Sequence, residues 1–270
     1  MTTTTQRGSS KEQPSVLFSY NNGKGYSPIQ VYGQVLSRAE RHRVLLRRLS
    51  LHRAVDDTIA AQFPAISTQG THVFIDMSNI EINFLQALKF KHMLGDRAYP
   101  MPRTHLDLEL LTEILVRGRP TVTQSVGCSV VPGRSRPWYV PQLKKLGYHV
   151  DLRQRKPVQD PGFSPLCVRY VEDLVDETLQ TRIAEAVMEY FDRQGTIVLA
   201  TGDAKPAEYS AGFFTYVERA LRMGWNVELA SWKSSLSSTW TSHKWKSQWG
   251  NKFRIIELDS YLDLLLANEA

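Results

Sequence analysis

Thr71-His72-Val73-Phe74-Ile75-Asp76-Met77-Ser78-Asn79 is the stretch on which the reading of this chain turns. Its apolar residues are consecutive rather than alternating. An extended segment of this kind is buried on both faces, as a strand inside a parallel sheet is. It closes on an acid, Asp76, and the chain from Asn79 to about Met93 then has helical character. Thr196-Ile197-Val198-Leu199-Ala200-Thr201 repeats the pattern and stops at Gly202-Asp203.

Working outward, weaker strands are expected over Pro120 to Gly127, Tyr148 to Arg153, Asn226 to Trp232 and Phe253 to Leu258. Helical spacing of apolar residues marks Leu106 to Val116, Pro137 to Leu146, Asp176 to Phe191, Phe213 to Met223 and Ser260 to Ala267. Strands alternating with helices build right-handed βαβ units. The expected class is therefore α/β, with a central, mainly parallel sheet between two helical layers. In such folds ligands gather beyond the carboxyl ends of the strands, near the point where strand order reverses.

The body of the fold is expected over residues 70–270. Residues 1–30 are polar and read as a disordered tail, and residues 31–69 as a basic helical extension. In that extension Val35, Leu36, Val44, Leu45, Leu46 and Leu49 run among Arg38, Arg41, Arg43, Arg47, Arg48 and Arg53. Two readings stay open for it: a basic arm for nucleic acid, or an amphipathic helix packed on the body with its arginines in water. The net charge of +6 over 270 residues favours a polyanionic partner without bearing on fold. The two cysteines, Cys128 and Cys167, are too few for a zinc site and are expected as reduced thiols. No apolar run of about 18 residues marks a membrane span, and Met1 to Thr5 carries no signal pattern. An intracellular location, cytoplasmic or nuclear, is expected.

The acids past the strands carry the chemistry. Asp76 and Asp203 end the two most apolar strands, Asp176 opens the strongest helix, and Glu208 lies in the loop after Asp203. Carboxylates that converge repel one another until one protonates or a cation comes between them. A hard divalent ion, Mg²⁺ or Mn²⁺, suits such oxygen donors and promotes attack on a phosphodiester. Asn79 adds a neutral polar group at the helix start. Each acid taken alone also has a structural role open to it, as a turn former or helix cap. Other chemistries lack their motifs. No Gly-x-Gly-x-x-Gly or P-loop follows the first strand, and no Gly-x-Ser-x-Gly is present. Ser78 stands where phosphoaspartate phosphatases need a second aspartate.

Val73-Phe74-Ile75-Asp76-Met77-Ser78-Asn79-Ile80 resembles the opening strand and turn of NYN domains, a branch of the PIN-like nucleases. Val175-Asp176-Glu177-Thr178-Leu179 is similar to their second acidic element. Thr196 to Asp203 with Ala204-Lys205-Pro206-Ala207-Glu208-Tyr209-Ser210 resembles the third as fungal members carry it. The likeness spans about residues 71 to 262. It implies a Rossmann-like, PIN-like fold and a Mg²⁺- or Mn²⁺-dependent ribonuclease, an enzyme that hydrolyses RNA. The implied metal ligands are Asp76, Asp176 and Asp203, with Asn79 as the accompanying polar residue. Many NYN domains carry a further acid two residues after the Gly-Asp aspartate. Lys205 stands there, and Glu208 is expected to substitute. That departure leaves a catalytically degenerate RNA-binding or scaffold domain as the alternative.

Cations near the acids would hold phosphates. Arg134 and Arg136 follow the second strand, Lys233 follows the strand ending at Trp232, and Lys205 follows Asp203. Trp240, Lys244, Trp245, Lys246 and Trp249 form an aromatic, basic stretch suited to stacking single-stranded bases, unless the rings belong to the core.

Overall fold

A computed structural model describes residues 13–21, 26–33, 36–101, 104–159 and 168–267. Six strands form the central sheet: β1 (Thr71–Asp76), β2 (Thr121–Val130), β3 (His149–Gln154), β4 (Thr196–Ala200), β5 (Asn226–Ser231) and β6 (Phe253–Glu257). Their order is β3-β2-β1-β4-β5-β6, and every neighbouring pair is parallel. Strand order therefore reverses between β1 and β4, the two strands that the sequence marks as most apolar. Both are buried along their whole length.

Helices cover both faces, giving a three-layer, Rossmann-like α/β fold. On one face lie α1 (Arg38–Gln62), α2 (Met77–Lys91), α3 (Leu108–Val116) and α4 (Tyr139–Lys145). They bury Leu45, Leu49, Phe84, Leu111 and Leu143 against Val73, Ile75 and Val198. On the other face α5 (Val175–Glu189) and α6 (Gly212–Arg222) bury Leu179, Ile183, Phe213 and Val217 against Phe74, Ile197 and Leu229. Alternation along each strand sends neighbouring residues to opposite layers, which is why continuous apolar runs were needed. Among the described residues no helix is long and apolar enough to cross a membrane.

The N-terminal expectations need correction. Within the stretch read as a tail, Gln13–Asn21 and Tyr26–Gly33 pair as an antiparallel hairpin. The first strand also pairs with Ala98–Pro100, and Phe18 is buried in the core. A two-stranded hairpin is marginal alone. This one is completed by a strand some eighty residues away, which local polarity does not reveal. The remainder of residues 1–30 lies outside the described residues, as does Cys167. Cys128 is a free thiol, and burial pushes its pKa up to about 12. The helical extension forms as α1, opened by a Ser37–Glu40 capping box. It docks through Leu45, Leu49 and Arg41, whose guanidinium donates to the carbonyls of Leu264 and Leu266 at 2.8 and 2.7 Å. The final helix expected over Ser260 to Ala267 is shorter. It ends at Leu265, and Leu266–Ala267 pairs instead with His105–Leu106.

At the amino-terminal pole of the sheet, Glu228 on β5 is buried among three arginines. It accepts from Arg117 at 2.5 Å, Arg119 at 2.7 and 2.8 Å, and Arg254 at 2.8 and 3.1 Å. Asp56 of α1 adds a second carboxylate, bound to Arg117 at 2.8 Å. Although burial opposes it, the guanidinium charges hold the Glu228 carboxyl far below its usual range. Removing one partner of such a network strands the rest. Glu228→Ala should therefore lower unfolding free energy by about 3–5 kcal/mol, read from the midpoint shift in urea.

Candidate active site

The opposite, carboxyl-terminal pole is acidic. Asp76 is the last residue of β1 and the N-cap of α2, and it is only 5% exposed. Its Oδ1 accepts from the Asn79 amide at 3.1 Å, and its Oδ2 accepts from the Thr201 hydroxyl at 2.9 Å. Thr201 Oγ1 in turn accepts from the Asp203 amide at 3.3 Å. Asn79 reaches across the switch point, where its Oδ1 accepts from the Gly202 amide at 3.0 Å. These bonds tie the end of β1 to the loop after β4.

Two glycines set how closely the parts approach. Gly202 lies against the loop after β5; a Cβ there would sit 2.3 Å from the Ser235 carbonyl oxygen. Gly127 pairs with Asp76 in the β1–β2 register and lets α5 lie on the sheet. A Cβ would stand 3.3 Å from Val175 and 3.4 Å from Leu179. The chain enters α5 through Leu174, whose φ of +57° is a left-handed conformation that costs a non-glycine residue roughly 1 kcal/mol. That turn puts Asp176 in the first turn of α5, beside the end of β1.

Electrostatics register the convergence. Burial first, then the neighbouring Asp176 carboxylate, pushes the pKa of Asp76 up from 3.8 to about 8, with Glu172 adding to it. Burial, then Asp203, Glu172 and Glu177, raises Asp176 from 3.8 to about 6. Among the described residues the Asp176 side chain has no hydrogen-bond or ion-pair partner. Asp203 holds its loop in a turn, its Oδ1 accepting from the Lys205 amide at 2.8 Å.

The structure thus brings Asp76, Asn79, Asp176 and Asp203 to one rim. It does not bring Glu208 there. Glu208 is exposed and is bound by Lys156 Nζ at 2.8 Å and the Tyr209 hydroxyl at 2.7 Å. An acid that does lie near Asp76 and Asp176 is Glu172, which the sequence did not single out. Its Oε1 accepts from Ser78, from Ser129 and from Arg155 Nη2, the last at 3.3 Å. The signal for Glu172 lay in the sequence: it follows the strand Val168–Val171 much as Asp76 ends β1. That strand pairs with Lys156–Gln159 in a hairpin that the sequence reading missed. Ser129, Arg155 and Thr201 were missed with it.

The expected cations are exposed. Arg134 and Arg136 lie in the loop beyond β2, Lys205 beyond β4, Lys233 beyond β5, and Lys244 on the short helix His243–Trp249. Among the described residues none of these five side chains makes an ion pair. Two of the three tryptophans are not available for base stacking, and Trp249 is half-buried against them. Trp240 and Trp245 are buried, pack on Phe214 and Phe253, and complete the layer under β5 and β6. Short helices turn the rings inward and leave Lys244 and Lys246 outside.

No protein-family model, curated protein or solved structure matches this chain. The donor chemistry of the acidic rim suits a hard divalent cation: carboxylate oxygens, mutual repulsion, and an unpartnered Asp176. Among the described residues, however, no three His, Cys, Asp or Glu side chains stand grouped so as to hold a metal ion.

A pH dependence follows from Asp76. Its folded pKa lies above the ordinary 3.8, so the native state keeps a proton that the unfolded chain releases. The associated stability is complete below about pH 4 and is lost as pH rises through about 8. Thermal unfolding in EDTA should show Asp76→Asn gaining stability over the parent chain between pH 5 and pH 9. Mn²⁺ at pH 8 should raise the melting temperature of the parent chain and leave that of the variant largely unchanged.

Proposed function

We propose that this chain is a metal-dependent endoribonuclease of NYN, PIN-like type. The observation that carries the reading is a buried Asp76 at the switch point of the sheet with Asp176, unpartnered among the described residues, beside it; burial first and the neighbouring carboxylate second raise the pKa of Asp76. Carboxylates retained in that state serve a cation or a proton transfer better than they serve stability. Asp76, Asp176 and Asp203 would hold the ion. A bound Mg²⁺ or Mn²⁺ supplies Lewis-acid chemistry, acidifying water and offsetting the charge that builds on a phosphodiester.

The remaining work falls to the protein. Thr201 and the Asn79 amide aim the two oxygens of Asp76. Asn79 locks the Gly202 loop, so Asp203 keeps its place relative to β1. Arg134, Arg136, Lys205 and Lys233, without ion pairs among the described residues and beyond the same strand ends, would supply cations for an RNA backbone, and Lys244 lies nearby in sequence on the next helix.

A second reading, an RNA-binding or scaffold domain without catalysis, draws support from Lys205 at the position where NYN domains often carry an acid, and from the ungrouped carboxylates. Incubation of purified protein with single-stranded RNA in Mn²⁺ and in EDTA separates the two. Cleavage is expected in Mn²⁺ alone, with Asp76→Asn and Asp176→Asn each slower by about a hundredfold or more. Salt-sensitive RNA binding without cleavage would select the second reading. In either case, the Arg134→Ala, Arg136→Ala double variant should reduce the slope of log affinity against log salt by about two.

A further inference from the structure

Three donors on three separate elements converge on one oxygen. Ser78 Oγ comes from the first turn of α2, Ser129 Oγ from the carboxyl end of β2, and Arg155 Nη2 from just past β3. All meet at Glu172 Oε1. Arg155 Nε also donates to Ser129 Oγ at 2.9 Å, which directs the serine proton toward that oxygen. Ser78 and Ser129 are 8% and 4% exposed, so their hydroxyls have no ready access to water and need an acceptor. The acceptor is more exposed than the two serines. Glu172 lies between the strand Val168–Val171 and α5, and its side chain is 34% exposed. Donors from three elements gathered on one anionic oxygen describe a binding site filled from within. A non-bridging phosphate oxygen matches a carboxylate oxygen in charge and in its capacity to accept. Glu172 also lies close enough to Asp76 and Asp176 to act on both, so an anion in its place borders the acidic rim.

We propose that Ser78, Ser129 and Arg155 form an oxyanion subsite of the acidic rim that takes a phosphate oxygen of the substrate, and that Glu172 occupies it until the substrate arrives. The subsite rests on reading the rim as a phosphodiester-processing site. Glu172 is then an internal competitor, and neutralising it strengthens phosphate binding instead of weakening it.

The test is an NMR titration with inorganic phosphate in EDTA at constant ionic strength, following the Ser129 amide and Arg155 Nε–H. Glu172→Gln should bind phosphate about tenfold tighter than the parent chain, the loss of one opposing charge being worth about 1.4 kcal/mol. Ser129→Ala and Arg155→Met should bind it at least about fivefold more weakly, with dispersed spectra verifying that each variant folds. Weaker binding in Glu172→Gln would mean that Glu172 holds the donors together and would overturn the proposal. So would phosphate shifts that bypass Ser129 and Arg155. An RNA-cleavage assay on the same samples keeps the two questions apart. Tighter phosphate binding by Glu172→Gln in a protein that cuts no RNA would support the subsite and remove the nuclease reading. Cleavage without that tightening would overturn the subsite alone.

Discussion

A buried carboxyl group placed beside a second carboxyl is the constraint around which the rest of this fold is arranged. Asp76 is buried at the end of a central strand, and the charge that acts on it most strongly is another carboxylate, Asp176. Nothing in the local chain requires that pairing. It arises because Gly127 lets α5 settle on the sheet, and because Leu174 accepts a left-handed conformation so that the helix can begin there. Gly202 permits a still closer approach on the other side, where the loop after β5 presses on the loop after β4. Each accommodation narrows the space around the carboxylates without adding a cation to it. Strain and repulsion concentrated in one place are what a working site asks of its surroundings.

The two poles of the sheet make the point by contrast. Glu228 is as buried as Asp76, yet its pKa moves the opposite way, because Arg117, Arg119 and Arg254 surround it. This chain therefore compensates a buried carboxylate fully where compensation serves stability. At the carboxyl-terminal pole Arg155 is directed to Glu172 and Ser129, and among the described residues Asp176 has no partner. The difference lies in side-chain placement on one scaffold, since both poles belong to the same six strands. The carboxyl-terminal pole is also where strand order reverses, the place where folds of this class gather ligands and where loops vary without disturbing the sheet.

The sheet and its acids were largely legible in the sequence because buried parallel strands have a strong signature. Val73-Phe74-Ile75 and Ile197-Val198-Leu199 leave few alternatives, and the residue following such a strand lies at the rim by geometry alone. Asp76 and Asp203 were read in that way, and Asp176 as the acid that opens the strongest helix. What the sequence concealed depended on partners distant along the chain. The hairpin of Gln13–Asn21 and Tyr26–Gly33 owes its place to Ala98–Pro100, and the tryptophans near Lys244 turn inward because Phe214 and Phe253 wait for them. Glu208 was a reasonable substitute by proximity in sequence. Loop direction is decided by the nearest opposite charge, here Lys156, and not by the nearest gap in a motif.

Glu172 alters how the departure at Lys205 should be weighed. In the proposed reading, an acid absent two residues after Asp203 removes one negative charge from the rim, and Glu172 restores one from a different element. The two arrangements are not equivalent. An acid in the Asp203 turn would be fixed by the backbone, as Asp203 is by the Lys205 amide. Glu172 is fixed by side-chain donors on neighbouring strands and helices, and those donors hold any oxyanion of similar size. On the proposed subsite, charge at the rim is partly exchangeable: one carboxylate departs when one phosphate enters, and the electrostatic balance around Asp76 and Asp176 is preserved through the exchange. In that proposal the rim admits a polyanion without a further cation to neutralise it, and only Asp76, Asp176 and Asp203 would be needed to hold a divalent ion.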